Sequence, residues 1–217
     1  MKELPILFRG EMVKAILEGR KTQTRRLVKF PGKKDSKHQL LMHNDMQTVY
    51  PMPRFGFVFW SGDPGREFSD LAYRDSVDGL RCPYGQPGDR LWVRETWQKH
   101  NGLIYAADYS RELKKNSIIK WRPSIFMPRW ASRITLEVVS VRVERVQDIS
   151  LDDCLSEGID DKVLAYPGVD RLTLRIMATD QLRHRFGILW DKINAARGFG
   201  WDANPWVWAV EFKKVGE

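Results

Sequence analysis

The stretch GRKTQTRR, residues 19–26, gathers Arg20, Lys21, Arg25 and Arg26 around two threonines and a glutamine, with no acid inside the run. If a strand begins at Thr22, then Thr22, Thr24 and Arg26 share one face while Gln23, Arg25 and Leu27 share the other. Lys21 then lies in the turn, free to lean toward Thr24. A lysine amine beside a threonine hydroxyl can activate that weak nucleophile, provided the lysine sheds its proton. The like charges of Arg20, Arg25 and Arg26 disfavour the protonated form and push it that way. The alternative is a solvated basic turn.

Proton transfer also calls for a carboxylate, and Glu95 is one candidate. On a strand through GDRLWVRETW, Leu91, Val93, Glu95 and Trp97 share a face, where an unpaired carboxylate is costly to bury. Arginines near it would relieve that cost, either within a site or as a structural salt bridge to Arg26 or Arg94. Further along, KWRPSIFMPRWASR interleaves Lys120, Arg122, Arg129 and Arg133 with Trp121 and Trp130. The cations suit phosphates, and the tryptophans, with Trp97 close to Arg94, suit stacking on a base. The alternative is a core-packed linker that carries surface arginines.

The rest of the chain narrows the classes of function. Across 217 residues the formal charge is +8 and the pI about 9.5, which favours polyanionic partners, although solubility alone also explains it. Cys82 and Cys154 form no CxxC pair and the four histidines form no HExxH pattern, so neither a structural metal nor a cofactor is expected. Neither GxxxxGK[ST] nor GxSxG occurs, which leaves nucleotide triphosphate hydrolysis and the serine-hydrolase elbow without support. No apolar run approaches the length of a membrane span and no leader-like segment opens the chain, so a cytoplasmic protein is expected.

These residues need elements to hold them. LPILF reads as a strand. In GEMVKAILEGR, Met12, Val13, Ile16 and Leu17 fall on one side of a helix that Gly19 ends, and TQTRRLVKF follows as a strand. From about 31 to 86 the texture is rich in Gly and Pro, as an irregular insertion on a single 1–217 domain would be; its aromatic FGFVFW suggests a strand pair or hairpin edge. LIYAADY reads as a strand, 120–133 as extended, and SRITLEVVSVRVERV as the longest strand. DISLDDCLSEGI reads as a helix with Ser150 as N-cap and Gly158 at its end. A helix over about 178–196 carries Leu182, Phe186, Leu189, Trp190 and Ile193, and NPWVWAVEFKKV closes as a strand. Strands outnumber helices without βαβ alternation, so a mixed α+β, mainly β fold built on a small barrel is expected.

ILEGRKTQTRR resembles the signature of the ASCH domain family, in which a helix ends in Gly-x-Lys-x-x-(Thr or Glu)-x-Arg and a later Gly-Asp opens a strand. Here these are Gly19, Lys21, Thr24 and Arg26, then Gly88 and Asp89. DISLDDCLSEGI is similar to the family's acidic helix, NPWVWAVEF to its closing strand, and the overall texture to phage and prophage members. The resemblance implies a PUA-like β-barrel with flanking helices, enlarged by the 31–86 insertion. It also implies RNA or a modified nucleoside as ligand. Some relatives hydrolyse the amide of N4-acetylcytidine with a Lys, a Thr and a Glu that match Lys21, Thr24 and Glu157, Lys21 serving as base. Others are reported as ribonucleases. A non-catalytic RNA-binding module, and a phage-encoded protein acting on a host protein partner, are the alternatives.

Overall fold

The computed structural model describes residues 1–30, 48–52, 56–60, 76–99, 101–110, 119–159 and 171–216. The fold is mixed α+β and mainly β. Its main sheet joins β1 (Glu3–Leu7), β6 (Arg90–Arg94), β9 (Thr135–Arg145), β10 (Trp206–Lys214) and β2 (Gln23–Leu27), in the order β1-β6-β9-β10-β2. Only β1 and β6 run parallel; the other pairs are antiparallel.

The alternation read in the sequence places the core. Trp208, Val210 and Phe212 of β10 join Leu91 and Val93 of β6 in the larger apolar cluster. Helix α1 (Gly10–Leu17) adds Val13 and Ile16 to it. Val207, on the opposite face of β10, packs with Cys154 of α2 (Leu151–Ser156) and with Leu182, Phe186 and Trp190 of α3 (Arg171–Asn194). The sheet is thus a middle layer, with α1 on one side and α2 and α3 on the other.

The expected closed barrel is not found among the described residues. β1 and β2 are the two edges of an open sheet, and the α1 connection between them packs on the sheet face instead of serving as a strand that closes it. The short strands β7 (Trp97–Lys99) and β8 (Leu103–Tyr105) form a separate hairpin. LIYAADY is a strand only as far as Tyr105, because Ala106–Asp108 turn into a 3-10 helix that buries both alanines. The 120–133 segment is likewise not continuously extended: it winds into 3-10 turns at Ser124–Phe126 and Arg129–Ala131, each starting behind a proline. Helix α3 begins at Arg171, seven residues ahead of the expected start.

Most of the 31–86 insertion lies outside the described residues. Within it, β3 (Thr48–Met52), β4 (Gly56–Trp60) and β5 (Ser76–Leu80) pair as an antiparallel sheet in the order β3-β4-β5, so the segment is more regular than its turn-rich composition implies. Among the described residues no helix is long and apolar enough to cross a membrane.

Candidate functional site

The basic run becomes an edge. Among the described residues β2 pairs with β10 on one side only, with Thr24 opposite Val210 and Arg25 opposite Ala209. Thr24 and Arg26 therefore lie on the α1 side of the sheet, while Gln23, Arg25 and Leu27 face α2 and α3. A cleft of about 180 Å³ draws lining residues from both faces of this strand, Thr24, Arg25, Arg26 and Leu27 among them, together with Glu157. Phe186, Leu189, Trp190 and Ile193, one helical stripe of α3, form its far wall.

Glu157 arrives at this edge because α2 is tightly punctuated. Ser150 caps the helix, its hydroxyl accepting from the Asp153 N–H at 3.1 Å, while the Asp153 carboxylate accepts from the Ser150 N–H. The chain then turns at Gly158, with φ +84°, so that Glu157 forms a bridge with Lys21 and the Thr22 N–H donates to Ser156 O at 2.8 Å. A Cβ on Gly158 would stand 3.1 Å from Ala15 Cβ and 3.2 Å from Lys21 Cβ. Gly158→Ala is accordingly expected to lower stability by about 1–3 kcal/mol. Thermal unfolding measures this; an unchanged midpoint would show that the turn relaxes freely.

The Lys21 side chain is fully buried, and its amine donates three hydrogen bonds: to Gln23 O at 2.7 Å, to Glu157 O at 2.8 Å and to Glu157 Oε2 at 2.6 Å. Three acceptors match the three protons of an ammonium, whereas a neutral amine has two. Burial still lowers the lysine pKa below its ordinary range, with the Glu157 charge pulling the other way and Arg26 and Arg25 adding to the lowering. No hydrogen bond joins the amine to Thr24, and Lys21 does not itself line the cleft. The pKa is thus lowered in the expected direction, but the amine leans on Gln23 and Glu157 and not on Thr24. Glu157, not Lys21, lines the cleft together with Thr24.

Arg25, also fully buried, stands among three carboxylates. Its Nε donates to Glu144 Oε1 at 2.8 Å and its Nη1 to Gln23 Oε1 at 2.6 Å. Nη2 sits 2.5 Å from Glu144 Oε1 and 3.0 Å from Asp153 Oδ2, close enough for charge pairing without hydrogen-bond alignment. Nη1 also reaches Glu157 Oε1 at 3.4 Å. Arg142 extends the network to Glu144, Asp153 and Glu211. Burial works to raise the Asp153 pKa. The Arg142 hydrogen bond, with help from Gln23, Arg25 and Ser150, outweighs it and holds the carboxyl well below its usual range.

The remaining sequence candidates lie elsewhere. Glu95 follows β6, with β9 and β10 between that strand and β2 in the sheet order, and it does not line the cleft. It is buried on the expected face, but its partner is Arg133, which binds it with Nε at 2.9 Å and Nη2 at 3.1 Å. Arg133 also clamps Asp108 with two bonds of 2.8 Å and lies over the Tyr105 ring, so it is occupied by acids. Burial raises the Glu95 pKa against the pull of Arg133. Arg129 pairs with Glu3, and Arg20 with Glu18, both in solvent. Trp97 is buried and meets the exposed Trp130 edge-on at 5.8 Å, while Trp121 meets Tyr109 at 5.3 Å. Neither Trp97 nor any tryptophan or arginine of the 120–133 segment lines the cleft, whereas Arg25 and Arg26 do.

Comparison with protein-family models, curated proteins and solved structures finds no match in any of the three. The site rests on its own geometry. Sequence reasoning missed Gln23, Glu144 and Asp153 as partners of Arg25, and Tyr84 and Arg197 as cleft residues. The alternation of Arg142 with Glu144 on a strand was a legible signal for the first group; Tyr84 and Arg197 stand in turn-like segments without one. Cys82 and Cys154 are pushed up to about 12 and about 11 by burial, which leaves no thiolate nucleophile between them at neutral pH.

Proposed function

We propose that this chain is an ASCH-type, PUA-like protein that binds a modified nucleoside, free or within RNA, and hydrolyses the amide of an acylated base such as N4-acetylcytidine. One observation carries this reading: Thr24 and Glu157, whose carboxylate the buried Lys21 amine holds at 2.6 Å, line the same cleft. At about 180 Å³ the cleft is smaller than the roughly 300–1,000 Å³ of drug-sized pockets, which suits a single base and its acyl group. Phe186 and Trp190 offer apolar walls beside it.

In the reaction, water placed by Thr24 adds to the acyl carbon while Glu157 takes its proton. The C–N bond then breaks, the departing exocyclic amine takes up that proton, and the acid is released. Lys21 and Arg25 position Glu157 through contacts of 2.6 and 3.4 Å to its carboxylate. Lys21 thus serves as a positioning residue.

The test is conversion of N4-acetylcytidine to cytidine by the full chain, followed by its absorbance change, with Glu157→Gln as the control. Wild-type turnover that falls by about two to four orders of magnitude in Glu157→Gln, with binding kept, is the expected result. Saturable binding without turnover in the wild type would overturn hydrolysis and leave a binding module. Shortening of an RNA oligonucleotide instead would assign the same cleft to ribonuclease chemistry.

A further inference from the structure

The charges around the cleft are not balanced. Lys21 and Arg25 are matched by carboxylates, as is the neighbouring Arg20. Arg26, Lys29 and Arg197 also line the cleft, yet none forms an ion pair with a described acid. Arg26 is the most constrained of them. Its Nη2 donates to Leu7 O at 2.5 Å and its guanidinium lies over the Phe8 and Tyr84 rings, at 5.2 and 5.9 Å. Its Nε is buried without a hydrogen-bond partner. A buried donor left open is costly unless something completes it. Tyr84 lines the cleft with Arg26 and Arg197. Lys29 and Arg197 are exposed at the mouth, and the Arg197 Nη2 donates to Asn194.

We propose that the cleft takes its ligand as a phosphorylated species, a nucleotide or an RNA residue, with a phosphate seated against Arg26, Lys29 and Arg197. The charge of a phosphate compensates cations that this protein leaves unpaired around the cleft. The inference deepens the nucleoside reading by naming what accompanies the base. It does not depend on turnover.

The experiment titrates the full chain by calorimetry with cytidine, cytidine 5′-monophosphate, a short single-stranded RNA and inorganic phosphate, at low and high salt. The monophosphate or the RNA should bind at least about tenfold tighter than cytidine at low salt, with the gain shrinking as salt rises. The tighter of the two identifies the phosphate source, a terminal monoester or an internal diester. In the Lys29→Ala/Arg197→Ala double variant the gain should vanish while cytidine affinity holds, and Lys29→Arg/Arg197→Lys should restore it. Equal affinity for cytidine and both phosphorylated ligands, or an equal loss for all of them in the double variant, overturns the proposal. If cytidine does not bind but inorganic phosphate does, in a manner that depends on Lys29 and Arg197, the nucleoside reading fails and the phosphate site stands.

Discussion

Lys21→Met is expected to lower stability by about 3–5 kcal/mol, the usual penalty for removing one partner of a buried ion pair. In a chain of this size that corresponds to a fall of the unfolding midpoint on the order of 10 °C. The loss comes from three acceptors at once: the substitution strips the donor from Gln23 O, Glu157 O and Glu157 Oε2, all of them enclosed. Lys21→Met/Glu157→Met should recover part of it, since an apolar pair leaves no buried charge stranded. Chemical denaturation of the two single variants and the double gives the coupling directly. Additive effects would mean that the 2.6 Å contact contributes nothing of its own, and the assignment of Lys21 as the holder of Glu157 would fall.

Arg25→Met is expected to be at least as damaging, again about 3–5 kcal/mol at neutral pH. Three carboxylates, Glu144, Asp153 and Glu157, would lose a shared cation, and only Glu144 and Asp153 keep Arg142. The effect should depend on pH, and its sign follows from Asp153. That group's folded pKa lies below its unfolded value, so its stabilisation is present above the unfolded pKa, about 3.9. The stabilisation is lost as pH falls through the folded value. The gap between wild type and Arg25→Met should therefore narrow only below the unfolded pKa of about 3.9, and it is compared at pH 7 and at about pH 2. Denaturant titrations at the two pH values measure it. A gap of constant size would mean that Arg25 acts by packing alone, through Phe186, whose ring lies 5.9 Å from its guanidinium carbon.

Much of the positioning was legible in local pattern. Alternation on TQTRRL sorted Thr24 and Arg26 from Gln23 and Arg25 correctly, because strand geometry turns successive side chains to opposite faces whatever the neighbours are. The Ser150 cap and the Gly158 stop were legible for the same local reason, and so was the stripe from Phe186 to Ile193 on α3. Glu95 was rightly read as buried, but its partner was sought among Arg26 and Arg94 when it is Arg133, 38 residues away in sequence. Periodicity reports which face a residue occupies; it carries nothing about which strand lies beside it.

The amino-acid sequence by itself determined the elements, the inward and outward faces, and the crowding of cations after the first helix. Tertiary structure alone decided the strand order that leaves β2 at an edge and puts two strands between it and β6, which Glu95 follows. It also decided the partners of Lys21, whose three acceptors come from residues 23 and 157. Local preferences arise from backbone sterics within a few residues and can be read in order along the chain. Protonation and pairing depend on the dielectric and the charges that distant segments bring together, and those exist only once the chain has packed.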